Sequence, residues 1–432
     1  MSINNYPKVL VVANNCFSLT NSNGRTLGNF FIGWPKDKLA QFCISAHNPN
    51  FDLCNNYYCI SDKAALNSLL KMRSVGGIRL SVNNFDSENK QIIEPKMRML
   101  KTPFKTILRN LIWSSGLWKS NEYNKWIEEF NPDLILLLSG DSVFMLNIAI
   151  DIAQMLNKPL CLFNAEGYYF FNQNYMYSGV FDELFFPIYS YFYKNAFKKM
   201  MKHVKFCIYA NDMLKKDYDH FFDVESTVMY TGSSIKFQKK KRISNNPIFS
   251  YLGTLGLGRH KALIEIGEVL QSINKNYYLD VYGNALTLRM KEDLSNAKGI
   301  RFKGFVDYEN VKRILYESDV LFHAESQEKQ WQERLKYGFS TKIADSICSG
   351  ISFVLYSSPN IACADYIKKT GAGWFCSDKE SLKSCIKKIL TDDNARNTKL
   401  ERAKKIAMKN HDISCNAEIM RNLLNSKIIG VS

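Results

Sequence analysis

Four pieces of the second half decide the fold: SYLGTLGLGRHKAL at 250–263, YYLDVYGN at 277–284, GIRFKGFVDYENVKRILYESDVLFHAES at 299–326 and YGFSTKIADSICSGISFVLYSSPN at 337–360. Apolar runs of strand length alternate in them with turns and helical patterns. The first turn carries Gly253, Gly256 and Gly258, after which Arg259 and Lys261 open a helix. Glycine in such a turn lets the backbone approach a ligand, and a helix N-terminus adds partial positive charge. Repeated units of this kind predict a sheet edge that accepts phosphate.

The same alternation fills nearly the whole chain. Strand candidates are 8–13, 41–45, 57–61, 133–139, 159–164, 206–210 and 227–230, and then 249–252, 277–282, 300–303, 320–323, 352–356 and 373–376. Continuous apolar strands separated by helices are typical of parallel sheets covered on both faces. The apolar run at 134–153 is interrupted by Gly140-Asp141, so it predicts a buried strand and a helix, not a membrane span.

These elements form two sets separated by the polar, basic and proline-ended stretch KFQKKKRISNNP at 236–247. Such a composition is typical of a linker. We predict an α/β protein with a domain at 1–235, a linker at 236–247, a domain at 248–410 and a C-terminal helix at 411–432 that packs back on the N-terminal domain. A cleft between the carboxyl edges of two such sheets would suit two substrates, one held by each domain.

The composition excludes several classes of protein. Hydrophobic residues make up 46% and charged residues 23% of the 432, which is ordinary for a globular protein. The eleven cysteines include no Cys-x-x-Cys and predict reduced thiols in the cytosol. The first residues lack the features of a signal peptide. The formal net charge of +16 suits nucleic acid, anionic membrane or phosphorylated substrate, but without a nucleic-acid-binding motif we expect no nucleic-acid partner.

The second half resembles the donor-binding domain of glycosyltransferase family 4, retaining enzymes of the GT-B fold, in which two Rossmann-like domains face across a cleft. Gly253 with Arg259 and Lys261 is similar to the family's diphosphate-binding region. The stretch 299–326 resembles the strand and helix that line the nucleobase pocket, and 337–356 resembles the loop and helix that contact sugar, diphosphate and ribose. In the first half, 21–45 and 161–169 resemble acceptor-facing segments. The whole pattern is similar to bacterial enzymes that assemble capsule, exopolysaccharide or O-antigen units.

The resemblance implies a set of donor-binding side chains. The diphosphate would be bound by residues of two turns: Arg259, Lys261, Ser340, Thr341 and Lys342. Cationic groups there would neutralise the charge that builds on the leaving diphosphate. Ser340 or Thr341 could instead only cap the following helix.

Two acids complete the donor set that the resemblance implies. Asp345 and Glu325 would contact the ribose or the sugar, and the alternatives are a solvated helix carboxylate for Asp345 and an acid of a surface loop for Glu325. Where many family members carry two glutamates eight positions apart, this chain has Tyr337 and Asp345. Only the second position keeps an acid.

On the acceptor side, Glu166 follows an apolar strand and is the candidate catalytic residue, either positioning the acceptor or accepting its hydroxyl proton. Gly24 and Arg25 are predicted in a loop after the first strand, where Arg25 would suit a phosphate on the acceptor or serve solubility. The Asp-x-Asp motif at 217–219 lies in a predicted helix. Because cationic side chains can neutralise the diphosphate, we predict no metal and no cofactor other than the donor substrate.

The stretch KMRMLKTPFKTILRNLIWSSGLWK at 96–119 contains six basic residues and no acid. Lys101, Lys105 and Arg109 form a row beside an apolar face, with Trp113 and Trp118 beyond. This pattern is typical of a helix in a bilayer interface, and the alternative is a surface helix packed on its own domain. The aromatic run at 185–205 is a second candidate, which we expect to be buried.

The sequence therefore predicts a metal-independent, hexosyltransferase-type retaining glycosyltransferase, cytoplasmic and peripherally bound to the inner face of the membrane. Its substrates would be a nucleotide diphosphate sugar and a glycan acceptor, lipid-linked, in bacterial surface polysaccharide synthesis. Two alternatives are open at this point. One is a non-transferring GT-B enzyme such as a nucleotide-sugar epimerase. The other is an inactive nucleotide- or glycan-binding protein. Tyr337, which stands in place of an acid, is the residue that supports this alternative.

Overall fold

The computed structural model describes residues 6–19, 22–82, 101–176, 182–240 and 242–428. The chain divides into two compact units. The first consists of Met1–Met229 together with Ile413–Ser432, and the second of Tyr230–Asp412. The C-terminal end of the chain therefore belongs to the first unit.

The first unit is built on an eight-stranded sheet. Its strands are β1 (Val9–Asn15), β2 (Leu39–Ser45), β3 (Tyr57–Cys59), β4 (Ile78–Leu80), β5 (Leu134–Leu138), β6 (Leu160–Asn164), β7 (Val204–Tyr209) and β8 (Ser226–Val228). Their order in the sheet is β4-β3-β2-β1-β5-β6-β7-β8, and all neighbours are parallel except β3 and β4. The central strands are apolar except at their carboxyl ends, where β1 ends in Asn14-Asn15 and β6 in Asn164; such apolar runs are typical of a sheet covered on both faces.

The helices of the first unit are α1 (Ser22–Asn29), α2 (Asp62–Leu70), α3 (Pro103–Ser114), α4 (Asn121–Phe130), α5 (Val143–Leu156), α6 (Asp182–Met201) and α7 (Asp212–Asp219). Several begin at a side chain that accepts a backbone N–H of the first turn: Ser61, Thr102, Ser120 and Asn211. Such caps satisfy donors that have no partner within the helix.

The second unit contains a six-stranded sheet in which every neighbouring pair is parallel. Its strands are β9 (Phe249–Leu252), β10 (Leu279–Tyr282), β11 (Ile300–Gly304), β12 (Val320–Ala324), β13 (Ser352–Tyr356) and β14 (Trp374–Cys376), in the order β11-β10-β9-β12-β13-β14. The chain runs outward from β9 to β11 and then crosses to β12 on the other side of β9. The gap outside the carboxyl ends of β9 and β12 is therefore a topological switch point, where open α/β sheets bind ligands.

The second unit also contains α8 (Arg259–Ile273), α9 (Leu288–Asn296), α10 (Tyr308–Glu317), α11 (Lys329–Leu335), α12 (Thr341–Ser349), α13 (Ala362–Thr370), α14 (Lys379–Thr391) and α15 (Asp393–Ile406). A π-helical turn, Ala407–His411, follows α15. The last helix, α16 (Ile413–Ile428), contributes Met420 and Leu424 to the core of the first unit.

Every predicted strand is present, with ends that differ by at most two residues. The short antiparallel strand β4 was missed, because three residues at a sheet edge give no clear periodicity. The prediction of a loop at Gly24 and Arg25 is wrong, since both lie in α1. A Cβ at Gly24 would lie 2.4 Å from the Cys16 carbonyl oxygen, so the glycine lets α1 pack on the backbone after β1.

The stretch 236–247, predicted as a linker, lies within the second unit. Its backbone N–H groups at Gln238 and Lys240 donate to the carbonyl oxygens of Ser349 and Gly350. The Lys240 ammonium lies 3.0 Å from the buried Asp319 carboxylate. Its basic residues thus contribute to the packing of this unit.

All eleven cysteines are free thiols, and ten of them are buried. Burial raises the pKa of the Cys161 thiol to about 12, so this group stays protonated at neutral pH. Within the described part of the chain, no helix combines the length and the apolar character that crossing a bilayer requires.

Candidate functional site

Loops after neighbouring strands pack closely at the carboxyl edge of the second sheet. Gly253 follows β9, and Gly283 follows the neighbouring strand β10. A Cβ at Gly283 would lie 2.2 Å from the Gly253 carbonyl oxygen, so no other residue fits there without a shift of the backbone. Gly258, at φ 74°, precedes α8, and a Cβ there would lie 2.5 Å from the Ser326 hydroxyl. The glycines of this turn therefore allow close packing around the start of α8.

Arg259 and Glu325 form a buried ion pair across the switch point. The Arg259 Nε lies 2.8 Å from Glu325 Oε2, and Nη2 donates to Oε1 at 3.0 Å. Arg259 Nη1 donates to the Thr254 hydroxyl at 3.1 Å, and His323 Nε2 lies 3.0 Å from Glu325 Oε1. Glu325 was predicted either as a ligand-binding acid or as a loop acid; it does lie in the loop after β12, and its side chain is only 6% exposed.

The pKa values of this pair are shifted in the directions expected of charged partners. Burial opposes ionisation of Glu325, but the Arg259 guanidinium and the His323 hydrogen bond lower the pKa of the carboxyl below its usual range. Burial also opposes the charge of Arg259, but Glu325 more than offsets it and raises the pKa of the guanidinium. Both groups are therefore charged at neutral pH, and the Arg259 cation is neutralised within the fold.

The turn before α12 brings three of the predicted diphosphate residues together. Ser340 caps the helix, its hydroxyl accepting the Lys342 backbone N–H at 3.2 Å, and Thr341 is the first helical residue. The capping role predicted as an alternative for Ser340 is therefore present. The Lys342 side chain is 28% exposed, and its ammonium lies 3.7 Å from Asp345 Oδ2. This helix start offers a cation and backbone N–H groups at the carboxyl edge of the sheet.

Asp345 lies on the inner side of α12. Its carboxylate accepts a hydrogen bond from the Ser233 hydroxyl at 2.6 Å, and its side chain is 5% exposed. This burial excludes the alternative of a solvated helix carboxylate. Tyr337, at the position where related loops carry an acid, is buried, and its hydroxyl accepts a hydrogen bond from the Lys336 ammonium at 2.8 Å.

Lys261 forms a separate ion pair. Its ammonium lies 2.7 Å from Glu328 Oε1, and the two side chains are 58% and 35% exposed. The structure thus brings Arg259 together with Glu325 and Lys342 together with Asp345, while Lys261 contacts Glu328, a second acid of the loop that follows β12.

In the first unit, the switch point lies between β1 and β5, and Asp141 follows β5 there. The Asp141 carboxylate is ion-paired with Lys101 and accepts the Tyr175 hydroxyl at 3.1 Å. Its carbonyl oxygen accepts the Tyr189 hydroxyl at 2.6 Å. Sequence reasoning treated Gly140-Asp141 only as an interruption of an apolar run. An acid directly after a buried strand was the signal that could have identified it.

Glu166 lies at the same carboxyl edge, two residues after the end of β6. Its backbone N–H donates to Asn164 Oδ1 at 3.4 Å, and Asn164 in turn accepts the Ser139 hydroxyl at 2.7 Å. The Tyr218 hydroxyl donates to the Glu166 carbonyl oxygen at 3.3 Å. The backbone of this half-buried acid is therefore held in place at the edge of the sheet.

The basic row predicted to face a membrane is largely engaged within the first unit. Arg109 Nε donates to Asp62 Oδ1 at 2.8 Å, and Lys101 pairs with Asp141, whereas Lys105 is exposed. Trp113 is 2% exposed and its indole N–H donates to Asp62 at 2.9 Å. The prediction that Trp113 lies in a bilayer interface is wrong, because the ring packs in the core. Residues 96–100 of that stretch lie outside the described residues.

The described residues contain no group of three or more His, Cys, Asp or Glu side chains arranged to hold a metal ion. The Asp-x-Asp motif lies at the end of α7, where Asp219 is ion-paired with Lys215 and Tyr218 is buried.

Comparison with known proteins identifies similar families and folds. Residues 233–406 match the family model described as glycosyl transferases group 1. The structure is similar to HepE of Anabaena in complex with UDP and glucose, with 12% identity, a TM-score of 0.62, and 98% of this chain and 100% of that chain covered. Sucrose-phosphate synthase of Thermosynechococcus elongatus gives 12% identity and a TM-score of 0.64, covering 99% and 100%. A glycosyltransferase of Rickettsia africae is 14% identical in sequence, with a TM-score of 0.54 and 99% of each chain covered.

No curated protein is a match to the sequence. At these identities the solved structures define the fold, which is the GT-B fold of glycosyltransferases, with two Rossmann-like parallel-sheet units. For the second unit the similarity extends to the sequence, because nearly all of this unit matches the glycosyl transferases group 1 model. Residues 233–406 are thus similar to glycosyl transferases group 1, and the carboxyl edge around Lys342 is the candidate functional site of this unit.

Proposed function

We propose that this protein is a retaining, family 4 type hexosyltransferase that moves a sugar from a nucleotide diphosphate sugar to a glycan acceptor. The acceptor would be lipid-linked, and the transfer would take place in the cytoplasm, at the inner face of the membrane, during surface polysaccharide synthesis. One observation carries the proposal. The glycosyl transferases group 1 match covers the sheet whose carboxyl edge holds the cation Lys342 at a helix start. The similar HepE structure contains UDP and glucose, which supports a nucleotide-sugar donor.

In the proposed reaction the bond between the anomeric carbon and the diphosphate breaks, and negative charge grows on the leaving phosphate. Lys342 and the backbone N–H groups at the start of α12 would stabilise that charge, which is why we propose that the transfer needs no metal. Ser340 and Thr341 shape this helix start. Asp345, held by Ser233, would accept hydrogen bonds from the ribose diol once the nucleotide binds.

The ion pair of Arg259 with Glu325 is proposed to shape the loop under the diphosphate, and Lys261 to reach the donor from the rim of the site. On the first unit, Glu166 would position the acceptor or accept its hydroxyl proton. Arg25 on α1 would contact an acceptor phosphate, with Gly24 allowing the helix its close packing.

A thermal-shift panel of UDP, GDP and CDP with their sugars tests the proposal directly. A ligand present at a hundred times its dissociation constant stabilises a protein by about 2.7 kcal/mol, which is readily measured. We expect one nucleotide series to raise the unfolding temperature. If no nucleotide diphosphate or sugar nucleotide does so, the proposed function is wrong.

Replacing Lys342 by alanine is expected to weaken binding of a nucleoside diphosphate by about ten- to a hundredfold, because charge-assisted hydrogen bonds contribute about 1.5–3 kcal/mol. The corresponding nucleoside should bind both proteins equally, since it carries no phosphate. Isothermal titration calorimetry measures both affinities. Lys387→Ala, which removes an exposed lysine of α14, is the matched control. Equal losses for nucleotide and nucleoside would contradict the phosphate assignment.

A further inference from the structure

Two neighbouring helices of the first unit expose large apolar side chains on their outward sides. On α3 these are Phe104, Leu108 and Leu111, the last 63% exposed. On α6 they are Leu184, Ile188, Tyr191 and Phe192, with Leu184 71% and Tyr191 66% exposed. The helices pack against each other, and the rings of Phe104 and Phe185 lie 5.0 Å apart. The two stripes therefore adjoin and form one surface, called here the α3–α6 face.

The inward sides of α3 and α6 pack in the core of the first unit and fix the position of the α3–α6 face. The inward side of α6 buries Phe186, Tyr189, Tyr193 and Phe197. The aromatic run at 185–205, expected to be buried, is thus divided into a buried and an exposed half. On α3, Thr106 and Trp113 are buried, and the Trp113 ring stacks on Phe144 with centroids 4.6 Å apart. The exposed residues are consequently not available to the core of this unit, and leaving them in water is unfavourable.

Cationic side chains accompany this apolar surface. Lys105 is exposed on α3, beside Phe104. Three exposed lysines lie at the C-terminal end of α6 and just beyond it: Lys198, Lys199 and Lys202. The acids of α6, Asp182 and Glu183, lie in its first turn. Basic residues outnumber acids along these two helices, so the apolar face with its lysines complements a bilayer with anionic headgroups.

We propose that the α3–α6 face binds the surface of an anionic lipid bilayer, with the apolar side chains entering the headgroup region and the lysines contacting phosphates. This inference rests on the proposed function, which requires access to a lipid-linked acceptor, and it names the surface that makes the contact. The basic row of Lys101 and Arg109 has a different role, because Asp141 and Asp62 neutralise it within the unit.

Co-sedimentation with vesicles of phosphatidylcholine and phosphatidylglycerol tests the proposal. We expect the wild type to bind these vesicles, and to bind pure phosphatidylcholine less, because the lysines need anionic lipid. A variant with glutamine on the apolar face should lose more than about tenfold in partition coefficient, since each buried methylene contributes to partitioning. Glutamine keeps the helix propensity high. The substitutions are Leu111→Gln, Leu184→Gln, Ile188→Gln and Tyr191→Gln.

The matched control carries Leu288→Gln and Ile419→Gln, which change exposed apolar residues on α9 and α16. It should bind vesicles as the wild type does. If the wild type stays in the supernatant, or the α3–α6 variant sediments as well as the control, the proposal is wrong. If the wild type does not bind vesicles but forms a dimer, and the α3–α6 variant does not form that dimer, the face would bind a second copy of the chain instead.

Failure of the two proposals can be told apart with the nucleotide panel. The α3–α6 variant should keep the wild-type nucleotide response, which also shows that it folds. Vesicle binding without any nucleotide response would leave the surface in place and overturn the proposed function. Should the glutamine variant fail to fold, Tyr191→Trp provides a second test, because brominated phospholipids should quench the added tryptophan. The absence of that quenching would overturn the bilayer proposal.

Discussion

Replacing Glu325 by glutamine is expected to destabilise the second unit by about 3–5 kcal/mol, because the change leaves the Arg259 guanidinium buried without its counter-charge. The pair joins the start of α8, which follows β9, to the residue after β12, so the loss should appear first in these strands. We expect a lower urea midpoint and faster hydrogen exchange of the β9 and β12 amides, measured by mass spectrometry.

The neighbouring pair of Lys261 and Glu328 is the control for this prediction. It has a similar N–O distance of 2.7 Å, but its side chains are 58% and 35% exposed, so Glu328→Gln should change stability by no more than about 1 kcal/mol. A similar cost for the two substitutions would contradict the buried-pair interpretation.

The double variant Glu325→Gln, Arg259→Met extends the test. If the cost of the single change comes from a buried, unpaired cation, removing Arg259 as well should recover part of the stability. A purely additive loss would mean that the two side chains act independently. The same variants measured with a nucleoside diphosphate would separate a role in shaping the loop from direct phosphate binding.

Acidification from pH 7 to pH 4 is expected to reduce the stability of the wild type by up to about 3 kcal/mol through His411 alone. The His411 side chain is fully buried, and this burial lowers its pKa to about 4. The Thr231 carbonyl oxygen accepts from Nδ1 at 2.8 Å, which fixes the tautomer, and Nε2 accepts the Tyr366 hydroxyl at 2.8 Å. The backbone contact and the nearby Asp345 carboxylate favour the charged form, but burial outweighs both.

The sign follows from the two pKa values. In the unfolded chain the imidazole titrates near 6.5, so between about pH 6.5 and pH 4 the unfolded state binds the additional proton. The stabilising contribution is therefore complete above about pH 6.5 and is lost as the pH falls towards 4. His411→Gln, which keeps a donor and an acceptor, should flatten this part of the stability profile.

His220→Gln, which removes an exposed imidazole, is the matched control and should leave the profile unchanged. Urea unfolding at several pH values, with hydrogen exchange of the segment around the π-helical turn, measures the effect. A His411→Gln profile as steep as that of the wild type would contradict the assignment.

The sequence by itself determined the sheets, because their signal is local. The apolar runs of β5 and β13 are continuous since both faces of the sheet are covered, and glycines such as Gly253 and Gly258 mark the turns after the strands. The same local signals identified the helix start at Ser340 and the carboxyl edge that holds Lys342. Periodicity and turn chemistry depend on neighbours in the chain, so they can be predicted without the fold.

Only the tertiary structure decided which charged side chains remain available to a ligand. Arg259 and Glu325 are 66 residues apart, and Ser233 and Asp345 are 112 apart, yet each pair is in contact. Trp113 has the local pattern of an interfacial residue, but it packs in the core against Phe144. Partners so distant in sequence leave no periodic trace, because long-range contacts are set by how strands and helices stack. The sequence therefore indicated where to expect a candidate site, and the packing decided which of its side chains are engaged within the fold.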